Sequence, residues 1–262
     1  MNSFLPLIQK EWRLLLFGFV MMFVTSPGQT YFIALFGGEI RETLSLSHGE
    51  FGAVYSIATL SSAVALLWTG TLVDRIDLRQ FSRYVVIGLA LACLVLASSQ
   101  NIFMLFIGIF LLRQLGQGLI YMASTTAMVR YLESNKGKAS ALSRMGYSVA
   151  EATLPTAVVL LLLVMSWRES WVFIAAVLVV CVPLIIHFLL KGHGERHQAY
   201  LQNLAADDLL GEKKSKKPVG TTDNVEKKAY RRRQWTRAEV IRDPLFYLFT
   251  PGLLAQPLLF TA

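Results

Sequence analysis

Apolar residues in this sequence come in blocks. Runs at Leu14–Phe36, Phe51–Val73, Tyr84–Ala97, Ile102–Thr125, Ser140–Val164 and Trp171–Leu190 are separated by polar stretches, most of them short. A helix needs about 20 residues to cross a hydrocarbon core of roughly 30 Å. The third run is the shortest and borrows Ser98 and Ser99 to approach that length. The pattern predicts an all-α membrane protein: a six-helix transmembrane bundle over 1–190, a basic linker over 191–243 and the start of a seventh span over 244–262. The first run is too long for a signal peptide, and no small-x-small cleavage site follows it.

Composition agrees with the blocks. The 262 residues are 54% hydrophobic and only 16% charged, with a mean hydropathy of +0.50. A soluble domain carries nearer a quarter charged residues. The net charge of +8 changes the picture only through its location. Of the 25 Lys and Arg, 22 fall before span 1, between spans 2 and 3, between spans 4 and 5, or in 191–243. The opposite loops hold two, Arg41 and Arg168, and Arg113 lies inside a span. That asymmetry predicts a multi-pass protein of the inner or plasma membrane, with the N-terminus and 191–243 cytoplasmic and Gly37–Glu50 outside. The basic balance addresses the lipid bilayer, not nucleic acid. Cys93 and Cys181 both lie within spans and read as two small buried thiols.

Local signals punctuate the blocks. Ser47-His-Gly-Glu50 is a capping box opening span 2. Asp243-Pro244 pairs an N-cap residue with a proline at the first helical position. Thr250-Pro-Gly with Gln256 echoes Thr25-Ser-Pro-Gly with Gln29, as expected if a parallel repeat restarts at span 7.

No catalytic constellation is present, so the chain does not read as an enzyme. His48, His187, His193 and His197 show no metal-ligand spacing, and no motif calls for a cofactor. The polar groups inside spans carry the interest, because a charge at the bilayer centre costs about 2.5–3.5 kcal/mol on insertion scales. In span 4, Arg113, Gln117 and Tyr121 recur every four residues and so share one face of an α-helix. In span 5, Ser143, Tyr147 and Glu151 do the same. Counted from the hairpin between the two spans, Arg113 and Glu151 differ in depth by only about 6 Å. They either pair or flank one cavity. A functional site would give the guanidinium to an anionic small-molecule substrate and leave Glu151 as proton acceptor, with Gln29, Gln117 and Tyr121 as neutral donors. Span 1 carries a helix break at Pro27 and Gly28, and span 5 one at Pro155. Irregular backbone at that depth lines a cavity or packs on protein. The series Gly52, Ser56 and Ala63 in span 2 reads as small-residue packing.

The tract Gly70-Thr-Leu72-Val-Asp74-Arg75-Ile-Asp77-Leu78-Arg79 resembles the loop between spans 2 and 3 of the major facilitator superfamily, Gly-x-Leu-x-Asp-Arg-x-Gly-Arg-Lys/Arg. Asp77 and Leu78 depart from that pattern. Arg113-Gln-Leu-Gly116-Gln-Gly118 is similar to the family's span 4. GQTYFIALF, with Gly146, Glu151 and Pro155 in span 5, looks like the bacterial oxalate/formate and monocarboxylate branch. The resemblance implies a secondary active transporter with twelve spans, alternating access and a midplane site between two halves. This chain would be the N-terminal half, a fragment whose partner is the missing C-terminal half. Gly70, Asp74, Arg75 and Arg79 would gate. Proton symport and anion exchange both fit. The competing expectation is a stand-alone six-span sensor or assembly partner.

Overall fold

The structure, a computed structural model, describes residues 5–132 and 135–192 and a few later positions (194, 198, 200, 202, 240, 242–245 and 247). Residues Met1–Gly211 form one compact unit and Glu212–Ala262 a second. The linker's charge runs, His193, His197, the Arg75 side chain and most of the expected seventh span lie outside the described residues. In the second unit, Asp243 accepts the backbone N–H of Leu245 at 2.9 Å, next to Pro244, as its pairing with that proline predicts.

The first unit is a helical bundle. In chain order it contains α1 (Leu5–Val24), a 3₁₀ turn (Ser26–Gly28), α2 (Thr30–Leu35), α3 (Gly37–Leu44), α4 (His48–Thr69), α5 (Leu72–Arg75), α6 (Leu78–Ala97) and α7 (Ile102–Leu112). A π-helix (Arg113–Ile120) joins α7 to α8 (Tyr121–Tyr131), followed by α9 (Lys136–Leu162) and α10 (Trp167–Leu189). Among the described residues, five helical segments are long and apolar enough to cross a membrane: His48–Asp74, Leu78–Ala97, Ile102–Tyr131, Lys136–Leu162 and Trp167–Leu189. The first expected span is not one of them. Its apolar run is divided by the break at Ser26–Gly28, and α1 begins with Lys10, Glu11 and Arg13 and kinks at Glu11 (φ −121°, ψ 21°).

Helix ends follow side-chain chemistry. Ser47 accepts the Glu50 N–H at 3.2 Å while the Glu50 carboxylate accepts the Ser47 N–H at 2.8 Å, so the predicted capping box is formed. Ser166 and Glu169 build a second box at the start of α10, from a Ser-x-x-Glu spacing the sequence reading passed over. Asp77, the departure from the family loop, caps α6 by accepting the N–H groups of Arg79 and Gln80. That cap moves the third span. It gains its length by starting at Leu78 and does not borrow Ser98 and Ser99. The segment expected as an outer loop also differs, because Gly37–Leu44 is helical, with Ile40 fully buried and Glu39, Arg41 and Glu42 less so.

Packing is uneven around the bundle. α6 lies against α10 and α1 against α9. Over the most apolar window of each span, 56% of residues are buried in Leu78–Ala97 but only 17% in the spans containing α4 and α9. Gly52, Ser56 and Ala63 sit on an exposed face of α4, and Gly52 has no neighbour within 4 Å of an added Cβ. Their expected packing role is therefore not met within this unit. Cys93 is buried as expected, whereas Cys181 is exposed on α10. Pro155 does not break its helix; α9 runs through it over 27 residues.

Candidate functional site

The site begins at the break in the first apolar run. Pro27 has no N–H, so a helix passing through it leaves the carbonyl of Phe23 without its donor. The Ser26 hydroxyl donates to that carbonyl at 2.6 Å, and the Thr25 hydroxyl donates to the Met22 carbonyl at 2.6 Å. The break is thus satisfied locally, and Thr25, Ser26, Pro27 and Gly28 are all buried. It packs on protein. A Cβ on Gly28 would stand 2.4 Å from the Leu112 carbonyl oxygen and 2.8 Å from the Cα of Gly116, so two backbones touch here.

The neighbour it touches is the π-helix. Its i→i+5 bonding is rare and is frequently found at functional sites. Arg113 is 8% exposed and buried, Gln117 is exposed, and Tyr121 is half-buried. The three differ in burial, and neither Gln117 nor Tyr121 hydrogen-bonds Arg113. Gln114, which the α-helical period assigned no role, is buried instead. Its side chain accepts from Ser62 Oγ at 3.1 Å and donates to Thr69 Oγ1 at 2.5 Å, tying the π-helix to α4.

Arg113 has an unusual set of partners. Its Nη1 donates to the Gly28 carbonyl at 3.1 Å and to Thr30 Oγ1 at 3.2 Å. Tyr55 OH donates to the same Thr30 oxygen at 2.9 Å, and the Tyr55 ring lies 5.6 Å from the guanidinium carbon. Arg113 Nε–H is buried without an acceptor. No ion pair joins Arg113 to Glu151, so of the two expected arrangements pairing is absent. Tyr147 lies within electrostatic reach of both Arg113 and the exposed Glu151. Its ring meets Tyr31 edge-on at 5.9 Å, and Tyr31 OH donates to Ser26 Oγ at 2.8 Å. Gln29 is buried beside the break and makes no bond to Arg113. Thr30, Tyr31 and Tyr55 are members that sequence spacing missed; their link to Arg113 runs between helices.

Residues 17–262 match the family model of the Major Facilitator Superfamily. The chain belongs to the major facilitator superfamily. It is accordingly a multi-pass protein of a family made up of membrane transporters. No curated protein matches the chain.

The superfamily loop follows α4 and packs on α8. Gly70 is buried, and an added Cβ would meet the Leu66 carbonyl at 2.8 Å and Met122 of α8 at 3.2 Å. Just beyond it, Asp74 Oδ1 accepts from Arg130 Nη2 at 2.8 Å. The arginine side chain is 10% exposed and the aspartate 68%. Arg79 turns instead to His187 on α10.

Proposed function

We propose that this transporter moves a small organic anion, a mono- or dicarboxylate, by alternating access. The observation that carries the reading is Arg113. It is a permanently charged group buried within a span, bonded only to neutral oxygens, with an Nε–H left over. A planar fork with unused donors and no counter-charge suits a carboxylate. Glu151, which makes no ion pair with Arg113, is the proton acceptor that would make the cycle a symport; without its titration the same site supports exchange. The resemblance of GQTYFIALF and the span 5 residues to the oxalate/formate and monocarboxylate branch points the same way. The bundle would be the N-terminal six-helix half, its uncovered α4 and α9 faces meeting a C-terminal half.

Uptake of radiolabelled oxalate, formate and a longer monocarboxylate into vesicles tests the reading. We expect carboxylates, and no sugar or cation, to accumulate under an inward proton gradient. Glu151→Gln should lose the pH-driven component and keep exchange. Absence of carboxylate uptake by the intact transporter, or an unchanged pH dependence in Glu151→Gln, counts against it.

Orientation follows from the charge bias, with the Gly37–Glu50 segment outside. An impermeant thiol reagent applied to intact cells should modify Ser45→Cys; protection there, with reaction at Ser215→Cys, reverses the orientation.

The gate is assigned to Asp74 with Gly70, Arg75 and Arg79. With the Asp74 carboxylate 68% exposed, its pair with Arg130 is worth only about 1 kcal/mol, so Asp74→Asn should insert normally. We expect it to lower uptake severalfold, and the exchanged pair Asp74→Arg with Arg130→Asp to recover part of the loss. Wild-type uptake by Asp74→Asn would remove Asp74 from the gate.

A further inference from the structure

Where α6 begins and α10 ends, three basic side chains meet with no acid among the described residues. Arg79 Nη2 and Arg83 Nη2 stand 2.7 and 3.0 Å from one atom, Nδ1 of His187. Guanidinium groups only donate, so that nitrogen is the acceptor for both. One lone pair serves two cations. Asp77, the nearest acid in sequence, is occupied with the backbone N–H groups of Arg79 and Gln80 at 2.9 and 3.4 Å. Among the described residues neither arginine has a carboxylate partner, and Arg79 Nε–H is buried without an acceptor.

Two like charges drawn to one neutral atom are an arrangement waiting for an anion. The surroundings indicate which kind. Tyr84 next to Arg83, and Leu184 and Phe188 around His187 in sequence, are 66%, 67% and 58% exposed, so the charges edge an apolar belt. Arginine forks match phosphate oxygens, and basic pockets between spanning helices hold phospholipid headgroups. We propose that Arg79, Arg83 and His187 form a phosphate-binding site on the α6–α10 rim that takes the headgroup of an anionic phospholipid. The phosphate supplies the several acceptors that a single imidazole nitrogen lacks. The site is distinct from the Arg113 cluster and stands whatever the transported substrate is.

Native mass spectrometry of the purified chain with phosphatidylglycerol or phosphatidylcholine tests this. Lys and Arg elsewhere also attract anionic lipid, so the quantity read is the loss on substitution. Arg79→Gln with Arg83→Gln should weaken phosphatidylglycerol retention roughly thirtyfold, at about fivefold per guanidinium. Arg83→Gln alone should cost about fivefold, and it carries the test if the double variant fails to fold. Lys136→Gln with Arg144→Gln, which removes two exposed charges elsewhere, should change retention less than twofold. A second arm measures thermal unfolding in millimolar inorganic phosphate. Stabilisation of the wild type but not of Arg83→Gln, without a preference for phosphatidylglycerol, keeps the phosphate site and overturns the lipid as its source. Equal losses in the control pair, or no effect of either probe on any variant, overturns the site.

Discussion

Arg113→Lys is expected to lower carboxylate uptake by about one to two orders of magnitude while the protein still inserts. Lysine keeps the charge, so the electrostatic cost of carrying it into the membrane is unchanged. What it loses is geometry. The guanidinium is held by Nη1 on the Gly28 carbonyl and Thr30 Oγ1, which leaves the rest of the fork to a ligand. An ammonium on a flexible stem cannot hold two fixed oxygens and also present a planar pair of donors. Each charge-assisted hydrogen bond lost is worth about 1.5–3 kcal/mol, which sets the size of the effect. Uptake into vesicles, with insertion checked by size-exclusion profile, measures it. Normal uptake by Arg113→Lys would leave Arg113 as a brace for the broken helix and nothing more.

That bracing role shows where sequence reading stopped. The apolar blocks, the Ser47–Glu50 box and the Gly70–Arg79 motif are local, and each was legible because its partners are close in sequence. Arg113 raised the right question, but its observed partners include a main-chain carbonyl 85 residues away and a hydroxyl 83 residues away. A search for opposite charges at matching depth finds Glu151 and overlooks Gly28. The π-helix was invisible for another reason. Its eight residues are too few to leave a periodic trace, and Gln114 goes unassigned because its partners Ser62 and Thr69 lie 52 and 45 residues away. Gly116 and Gly118 were noted as family residues. The reason for a glycine at 116, contact with Gly28, belongs to the tertiary structure.

Close approach elsewhere makes the sharper stability forecast. Gly146→Ala should be the more damaging of two formally identical substitutions, the other being Gly52→Ala. A Cβ on Gly146 would stand 2.0 Å from the Phe19 carbonyl oxygen and 2.8 Å from its carbon, with nothing flexible to yield. The same seam is tight one turn away, where a Cβ on Gly18 would come within 2.8 Å of Ser143 Cβ. Ser124 Oγ donates to the Gly18 carbonyl at 2.9 Å, locking α8 onto that junction. Small residues let helix backbones meet where lipid offers no hydrophobic drive for association. Overpacking such a contact costs about 1–3 kcal/mol, because the helices must separate or shift. At Gly52 an added methyl meets nothing within 4 Å, and its better helix propensity makes alanine neutral or slightly favourable. Thermal unfolding of the purified protein in a mild detergent distinguishes the two. A midpoint lowered by several degrees in Gly146→Ala and unchanged in Gly52→Ala is the expected result. Equal midpoints would mean that α1 and α9 do not meet at Gly146, and the position of the broken first span would then need to be redrawn.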